Sequence, residues 1–355
     1  MKGRKLSRRD ILQGAATLAA GTMFASPVRA QAPEPIAITP ALVEAAKKEG
    51  KLIFYSSMDL PVGEKLGKAF EAAYPGVTIQ IERSGSERLF QRIDQEFASN
   101  IRAADIVNSS DASHFIVWKK NGWLMPFVPE DVAKHFPESY RDPDGMFATS
   151  RVWLSSIAYN TNLVKPEDAP KSFADLLDPK WAGKMVKGHP AYSGTIMTAT
   201  FQMVRELGWE YMEKLSKQRV MQVQSSTDPP KKLSLGERAV MADGNEYGIV
   251  LLKEAGQPVE PVYPAEGTPT ISGPTGIFKT AQHPNAAKLF QAWLHTRQTQ
   301  QFFCDFTAQY SVHPQVQSKP GRRKISDIKL MKEDAEGVEK MTEEIKTRYA
   351  RLFRV

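Results

Sequence analysis

Cysteine is nearly missing from this chain: Cys304 is the only one in 355 residues. A single thiol excludes an intramolecular disulfide and any Cys-x-x-Cys metal or redox site, so stability must come from packing. In that setting Cys304 reads as a small buried hydrophobe. Histidine is sparse too. His114, His135, His189, His283, His295 and His313 are scattered, with no two at metal-ligand spacing. Nucleophile elbows, phosphate-binding P-loops and His-Glu-x-x-His helices are all absent, which removes the sequence support for an enzyme. Beyond residue 30 no apolar run approaches the roughly 20 residues a bilayer core requires.

Charge imbalance is the next thing the chain lacks, once its start is set apart. The formal net charge is +7, from 47 basic and 40 acidic residues. Six of those bases and one acid fall within residues 1–30, leaving 41 against 39, a net charge of +2. The basic character therefore belongs to the leader, and a nucleic-acid role loses its compositional basis.

Residues 1–30 have a pattern of their own. Lys2, Arg4, Lys5, Arg8 and Arg9 precede a short apolar run from Ile11 to Ala25, and Pro27-Val28-Arg29-Ala30 places branched Val28 and small Ala30 at the -3 and -1 positions. This is the layout of a signal peptide, with cleavage expected after Ala30 and a periplasmic destination. Ser7-Arg8-Arg9-Asp10-Ile11-Leu12 resembles a twin-arginine export motif, with Ile11 and Gln13 departing from it.

Past a Pro-rich stretch, short apolar strands alternate with amphipathic helices. A helix is expected over Ala41–Glu49, then a strand at Lys51–Tyr55 and a helix carrying Val62, Leu66 and Phe70. Strand Val77–Ile81, a helix with Leu89, Ile93 and Phe97, and strand Asp105–Val107 follow. This rhythm predicts an α/β fold with parallel crossovers. A longer strand-like run, Arg151–Tyr159, breaks the rhythm, and a second α/β set begins with strand Lys184–Val186 and a helix over Thr195–Leu207. Ala239–Leu252 reads as strand or helix, His283–Phe303 as one helix, and Ser326–Leu352 as a charged helix. About 325 residues after the leader exceed what one core usually supports, so two lobes are expected. The boundaries predicted are 31–152 with 272–318 for the first lobe, and 153–271 with 319–355 for the second.

One arrangement recurs at the ends of the strands. Ser56-Ser57, Ser84-Gly85-Ser86, Asn108-Ser109-Ser110, Tyr192-Ser193-Gly194-Thr195 and Ser225-Ser226-Thr227 each sit between a strand and a following helix. Open α/β sheets bind ligands at that edge, where helix N-termini offer free N–H groups to an anion. Any one cluster is better explained by helix capping; five on the same edge of two lobes point to a shared cleft. Arg83 and Arg88 flank the Ser84-Gly85-Ser86 loop and read as solvated or as anion partners. Tyr247 reads as a cleft wall or as core.

Three longer stretches resemble a known family. They are Ser172-Phe-Ala-Asp-Leu-Leu-Asp-Pro-Lys-Trp-Ala-Gly-Lys184, Tyr192-Ser193-Gly194-Thr195, and Phe278-Lys279 through His283-Pro284-Asn285-Ala286. They are similar to extracellular solute-binding proteins of the ferric-ion-binding type, over Lys51 to about His313. The resemblance implies a type II periplasmic binding fold, two α/β lobes on a two-crossing hinge, working as a monomer beside an ABC permease. Ferric members hold iron with two adjacent tyrosines, a histidine and a glutamate, together with an anion. Here the tyrosine pair falls on Glu246-Tyr247, the histidine near Asp59 and the glutamate near Ser110. Ser193-Gly194-Thr195 matches the anion cradle, with Ser226 beside it.

The expectation is thus a receptor for a phosphonate, phosphate ester or carboxylate. Its ligand residues would be Ser56, Ser57, Ser84, Gly85, Ser86, Ser110, Ser193, Gly194, Thr195, Ser226 and Tyr247, with no cofactor and no catalytic group. The alternative is a ferric-iron receptor using Asp59, Glu246 and Tyr247, with Fe(III) as the transported ligand. A second alternative is a secreted hydrolase on a similar scaffold.

Overall fold

The computed structural model describes residues 32–355. The expected signal peptide and twin-arginine motif lie outside the described residues. Two mixed sheets organise the rest. The first contains β1 (Lys51–Ser56), β2 (Thr78–Arg83), β3 (Ile106–Asn108), β4 (Leu124–Met125), β5 (Ala148–Leu154) and β11 (Thr270–Phe278). Its order is β2-β1-β3-β11-β4, with β5 also paired to β11. The second contains β6 (Ile157–Asn160), β7 (Met185–Gly188), β8 (Met221–Val223), β9 (Val240–Asp243) and β10 (Val259–Val262), in the order β10-β6-β9-β7-β8. In each sheet three strands run parallel, β1, β2 and β3 in one and β7, β8 and β9 in the other. The remaining strands pair antiparallel.

Helices cover the sheets because their apolar residues recur every three or four positions. In α1 (Pro40–Glu49) and α2 (Leu60–Ala73) that face turns to the first sheet, with Ala46, Leu66 and Phe70 buried. Gly67 brings α2 close to β2, since a Cβ there would sit 3.0 Å from Ile79 Cγ2. Phe70 meets Phe290 edge to face at 5.0 Å, anchoring α2 to α9 (Pro284–His295). Each such wholly buried ring contributes roughly 1.5–3 kcal/mol of transfer free energy. On the opposite face α3 (Ser86–Ala98) and α4 (Ser113–Lys120) bury Leu89, Ile93, Phe115 and Trp118. The second sheet is covered by α6 (Gly194–Ser216), α7 (Asp228–Ser234) and α8 (Glu246–Glu254). The short α5 (Glu130–His135) and α10 (Arg297–Thr307) belong to the first lobe, and α11 (Ala335–Phe353) packs on α6 and α4.

Several expected elements resolve differently. Arg151–Tyr159 is not one strand: it ends in the first sheet at Leu154 and resumes in the second at Ile157. Ser155 and Ser156 make the step, their N–H groups donating to Pro269 O and Gly244 O at 3.0 Å each. Ala239–Leu252 is a strand followed by a helix, β9 then α8. The expected helix His283–Phe303 divides at Thr296, whose extended backbone stops α9 and whose hydroxyl caps α10 by accepting from Thr299 N. The charged C-terminal helix starts later, at Ala335, where the Asp334 side chain accepts from Gly337 N. The chain passes between the sheets at 155–156, again between Val262 and Thr270, and once more before α11.

Candidate functional site

The strand ends of both sheets meet across a cavity of about 700 Å³. From the first lobe come Ser57 and Asp59 after β1, Arg83 at the end of β2, Gly85, Ser86 and Arg88 at the start of α3, and Ser110 after β3. From the second come Tyr192, Ser193 and Thr195 at the start of α6, Gln224 to Lys231 around α7, and Asn245 and Tyr247 at α8. Arg151 and Trp153 of β5 form the floor nearest the hinge. Four cationic side chains (Arg83, Arg88, Arg151 and Lys231) face two acidic ones, Asp59 and Asp228. The excess is positive.

Three hydrogen bonds hold the lobes together over this cavity. Gly194 N–H donates to Ser86 Oγ at 2.7 Å, Arg88 Nη2 to Gln224 Oε1 at 2.9 Å, and Tyr247 OH to Asp59 Oδ2 at 3.1 Å. The conformation is therefore closed.

Capping and ligand roles can now be separated cluster by cluster. Ser193 occupies the N-cap of α6, but its side chain accepts no capping hydrogen bond, which leaves the hydroxyl to the cavity. Ser57 Oγ is buried without a hydrogen-bond partner beside the same space. Ser86 Oγ is taken by Gly194, and Ser110, Thr195 and Ser226 line the wall. Three expected ligand residues are placed elsewhere. Ser56 is fully buried with its Oγ accepting from Met58 N, because it still belongs to the strand. Ser84 does not line the cavity; its N–H continues the β1–β2 ladder toward Ser56 O. Gly194 donates its N–H to Ser86 Oγ across the two lobes and is not among the residues lining the cavity. A Cβ there would come within 2.6 Å of Asp111 Cβ.

The expected iron set is also divided. Asp59 and Tyr247 touch, but Glu246 turns away: its Oε1 accepts from Tyr263 OH at 2.6 Å and Tyr310 OH at 3.1 Å, in a separate cavity of about 510 Å³. A helix turns its residues by about 100° each, so neighbours at 246 and 247 diverge. Burial raises the Glu246 carboxyl to about 7. Burial, and then the negative charge of Asp59, push the Tyr247 phenol well above its usual value, against the tyrosinate form that iron requires.

Arg151 went unnoticed in the sequence. It lies in a seven-residue strand buried throughout. Its Nη2 donates to Asn108 Oδ1 at 2.9 Å, its guanidinium stacks 4.5 Å from the Trp153 ring, and its Nε has no partner. Among the described residues no carboxylate pairs with it at salt-bridge distance. Burial lowers its pKa to about 10. The available signal was an arginine inside an otherwise apolar run, Arg151-Val-Trp-Leu.

Comparison with known proteins follows the same geometry. The description "bacterial extracellular solute-binding protein" matches residues 55–301. The chain belongs to this family. Among relatives of this solute-binding protein, iron uptake protein A1 of Synechocystis sp. is 24% identical over 356 residues, covering 95% of both chains. A probable ABC transporter periplasmic-binding protein of Sinorhizobium fredii is 25% identical over 276 residues, covering 74% of this chain and 75% of the relative. The solved structure of the periplasmic binding protein AfuA from Actinobacillus pleuropneumoniae, with fructose-6-phosphate bound, superposes with a TM-score of 0.78 at 23% identity. It covers 86% of this chain and 99% of AfuA. At that identity the likeness shows the fold, the type II periplasmic binding arrangement that the sequence motifs implied. No helix among the described residues is long and apolar enough to cross a membrane.

Proposed function

We propose that this solute-binding protein captures a small organic anion, a phosphate ester in the first instance, between its two lobes and delivers it to an ABC permease. Arg151 carries the reading. A guanidinium buried without an acidic partner is costly, and an anion arriving in the cleft supplies the missing charge. Around it, Ser57, Ser110, Ser193, Thr195 and Ser226 offer hydroxyls at the N-terminal ends of helices, suited to phosphate or carboxylate oxygens. Arg83 and Lys231 add positive charge, while Asp59 and Asn245 can accept hydroxyl donors from the remainder of the ligand. Such a division fits a phosphorylated polyol better than a bare inorganic ion. Contact with both lobes favours the closed state, so binding and closure are one event. Residues 1–30 would direct export and then be removed, leaving a monomer in the periplasm.

Ferric iron is the second reading, kept because Asp59 and Tyr247 meet across the cleft at 3.1 Å and because a relative is named for iron uptake. Two protein donors leave most of the coordination sphere to an accompanying anion. A thermal-shift and calorimetry panel separates the two readings, using fructose 6-phosphate, inorganic phosphate, citrate and ferric citrate. At about 100 times Kd a ligand adds roughly 2.7 kcal/mol, which is easily seen. Stabilisation by fructose 6-phosphate or another iron-free ester is expected. Stabilisation by ferric citrate alone, with a visible tyrosinate-to-iron band, would overturn the organic-anion reading. Turnover of the bound ester would favour the hydrolase alternative.

A further inference from the structure

Among the described residues, two groups of metal-ligating side chains stand outside the cleft lining. In one, Glu87, Asp111 and His114, the Lys346 ammonium lies 3.3 Å from Glu87 Oε2 and already supplies a cation. The other has no such occupant. We propose that Asp131, His135 and His313 form a binding site for a divalent first-row transition ion, zinc by preference. Asp131 and His135 are four residues apart on α5, which puts them on one helix face. His313 arrives from the segment after α10. That segment is pinned to β5 by reciprocal Val152–Tyr310 hydrogen bonds, and within it Ser311 Oγ accepts from His313 N at 3.0 Å.

The three donor atoms lie within 4.8 Å of one another. Bonds of 2.0–2.2 Å in a tetrahedral site place neighbouring donors about 3.3 Å apart, so a contraction of at most about 1.5 Å completes it. Asp131 and His135 are half-buried, whereas His313 is buried. Its ring packs perpendicular to Phe136 at 5.8 Å. Its Nε2 is buried with no hydrogen-bond partner, and Asp131 Oδ1 at 3.7 Å is beyond bonding range. A buried polar atom left in this state is uncommon and indicates a missing partner. Two imidazoles and one carboxylate, with a water in the fourth position, suit zinc and its neighbours over magnesium or calcium.

Loading has a local signature. Gln315 N–H donates to His313 Nδ1 at 3.2 Å, so the single ring proton sits on Nε2. An ion on Nε2 moves that proton to Nδ1 and releases the Gln315 amide.

The test uses the full chain, freed of metal with a chelator, then titrated with ZnCl2 by calorimetry and with CoCl2 by visible absorption. One equivalent of zinc is expected, with the strong absorption of four-coordinate cobalt and a shifted Gln315 amide resonance. His135→Gln and Asp131→Asn alter only half-buried side chains, and each should weaken binding at least roughly tenfold with an unchanged circular dichroism spectrum. Arg151→Met, in the cleft, should leave zinc affinity intact. Wild-type affinity in both α5 variants, or the weak absorption of six-coordinate cobalt, would overturn the site.

Discussion

Among the described residues two cationic side chains are buried, Lys187 and Arg151, one on each sheet, and their surroundings differ completely. Lys187 of β7 lies 3.5 Å from Asp243 Oδ2, hydrogen-bonds to Tyr349 OH at 2.9 Å and Gly188 O at 3.0 Å, and packs over the Tyr349 ring at 4.6 Å. Arg151 of β5 has one amide oxygen, one indole face and an unpartnered Nε. Both have pKa values lowered by burial, Lys187 despite the opposing pull of Asp243. A buried charge whose partners are all internal belongs to the fold. One whose partner is missing is left able to pair with a ligand. The Lys187 site joins β7, β9 and α11 and holds the second lobe together; the Arg151 site opens on the cleft.

The comparison is broken most severely at Lys187. Lys187→Met leaves Asp243 buried and uncompensated, at an expected cost of about 3–5 kcal/mol read from urea midpoints. Adding Asp243→Asn should recover more than half of that loss; equal losses in the single and double variants would show that the pair does not act as a pair. Arg151→Met should do the opposite. Stability is expected to hold or rise, while affinity for the proposed phosphate ester falls roughly 30- to 5,000-fold, the range for removing one buried charged partner. Arg151→Lys should not rescue it, because an ammonium cannot reproduce the planar fork. If Arg151→Met destabilised the apo protein as much as Lys187→Met, Arg151 would be structural and the contrast would vanish.

A smaller effect is expected at the closing contact. Gly194→Ala puts a methyl against Asp111 and Ser86 only when the lobes are shut. Affinity should drop about tenfold, with a larger radius of gyration by X-ray scattering at saturating ligand. Unchanged closure would show that the Gly194–Ser86 bond is incidental.

A pH-dependent effect extends the comparison to a buried anion. Glu246, raised to about 7, binds its proton more tightly in the folded state than in the unfolded chain, where a glutamate titrates near 4.3. Its stabilising contribution is therefore complete below about pH 4.3 and is lost as pH rises through about 7. Glu246→Gln keeps an acceptor for Tyr263 and Tyr310 and should flatten the decline between pH 5 and 8 by about 1–3 kcal/mol, read as the difference in pH-dependent Tm from wild type. An identical slope in both proteins would place the titration elsewhere.

Much of the fold was legible because it depends on local periodicity. The helices carrying Leu66 and Phe70, or Leu89 and Ile93, and the strands at Lys51, Val77 and Lys184 were readable from spacing alone. Where one periodicity served two elements, the reading ran them together. An apolar run does not show that Ser155 and Ser156 change sheets, and a helical pattern from 283 to 303 does not show that Thr296 stops it. Of the site, hydroxyl clusters at strand ends were visible because the loop position is a consequence of strand–helix order. The direction of each side chain was not. Ser56 and Ser57 are neighbours, yet one is locked in the strand and the other faces the cleft. Glu246 and Tyr247 are neighbours, yet they serve different cavities.

By itself the sequence determined the alternation of strands and helices, the absence of disulfides and the edge on which hydroxyls gather. These follow from composition and short-range spacing. Only the tertiary structure decided that Arg151 lacks a counter-charge, that Gly194 closes the lobes, and that Asp131, His135 and His313 converge. Each is a fact about distances between residues far apart in the chain, set by how the sheets and helices pack, and no local pattern encodes it.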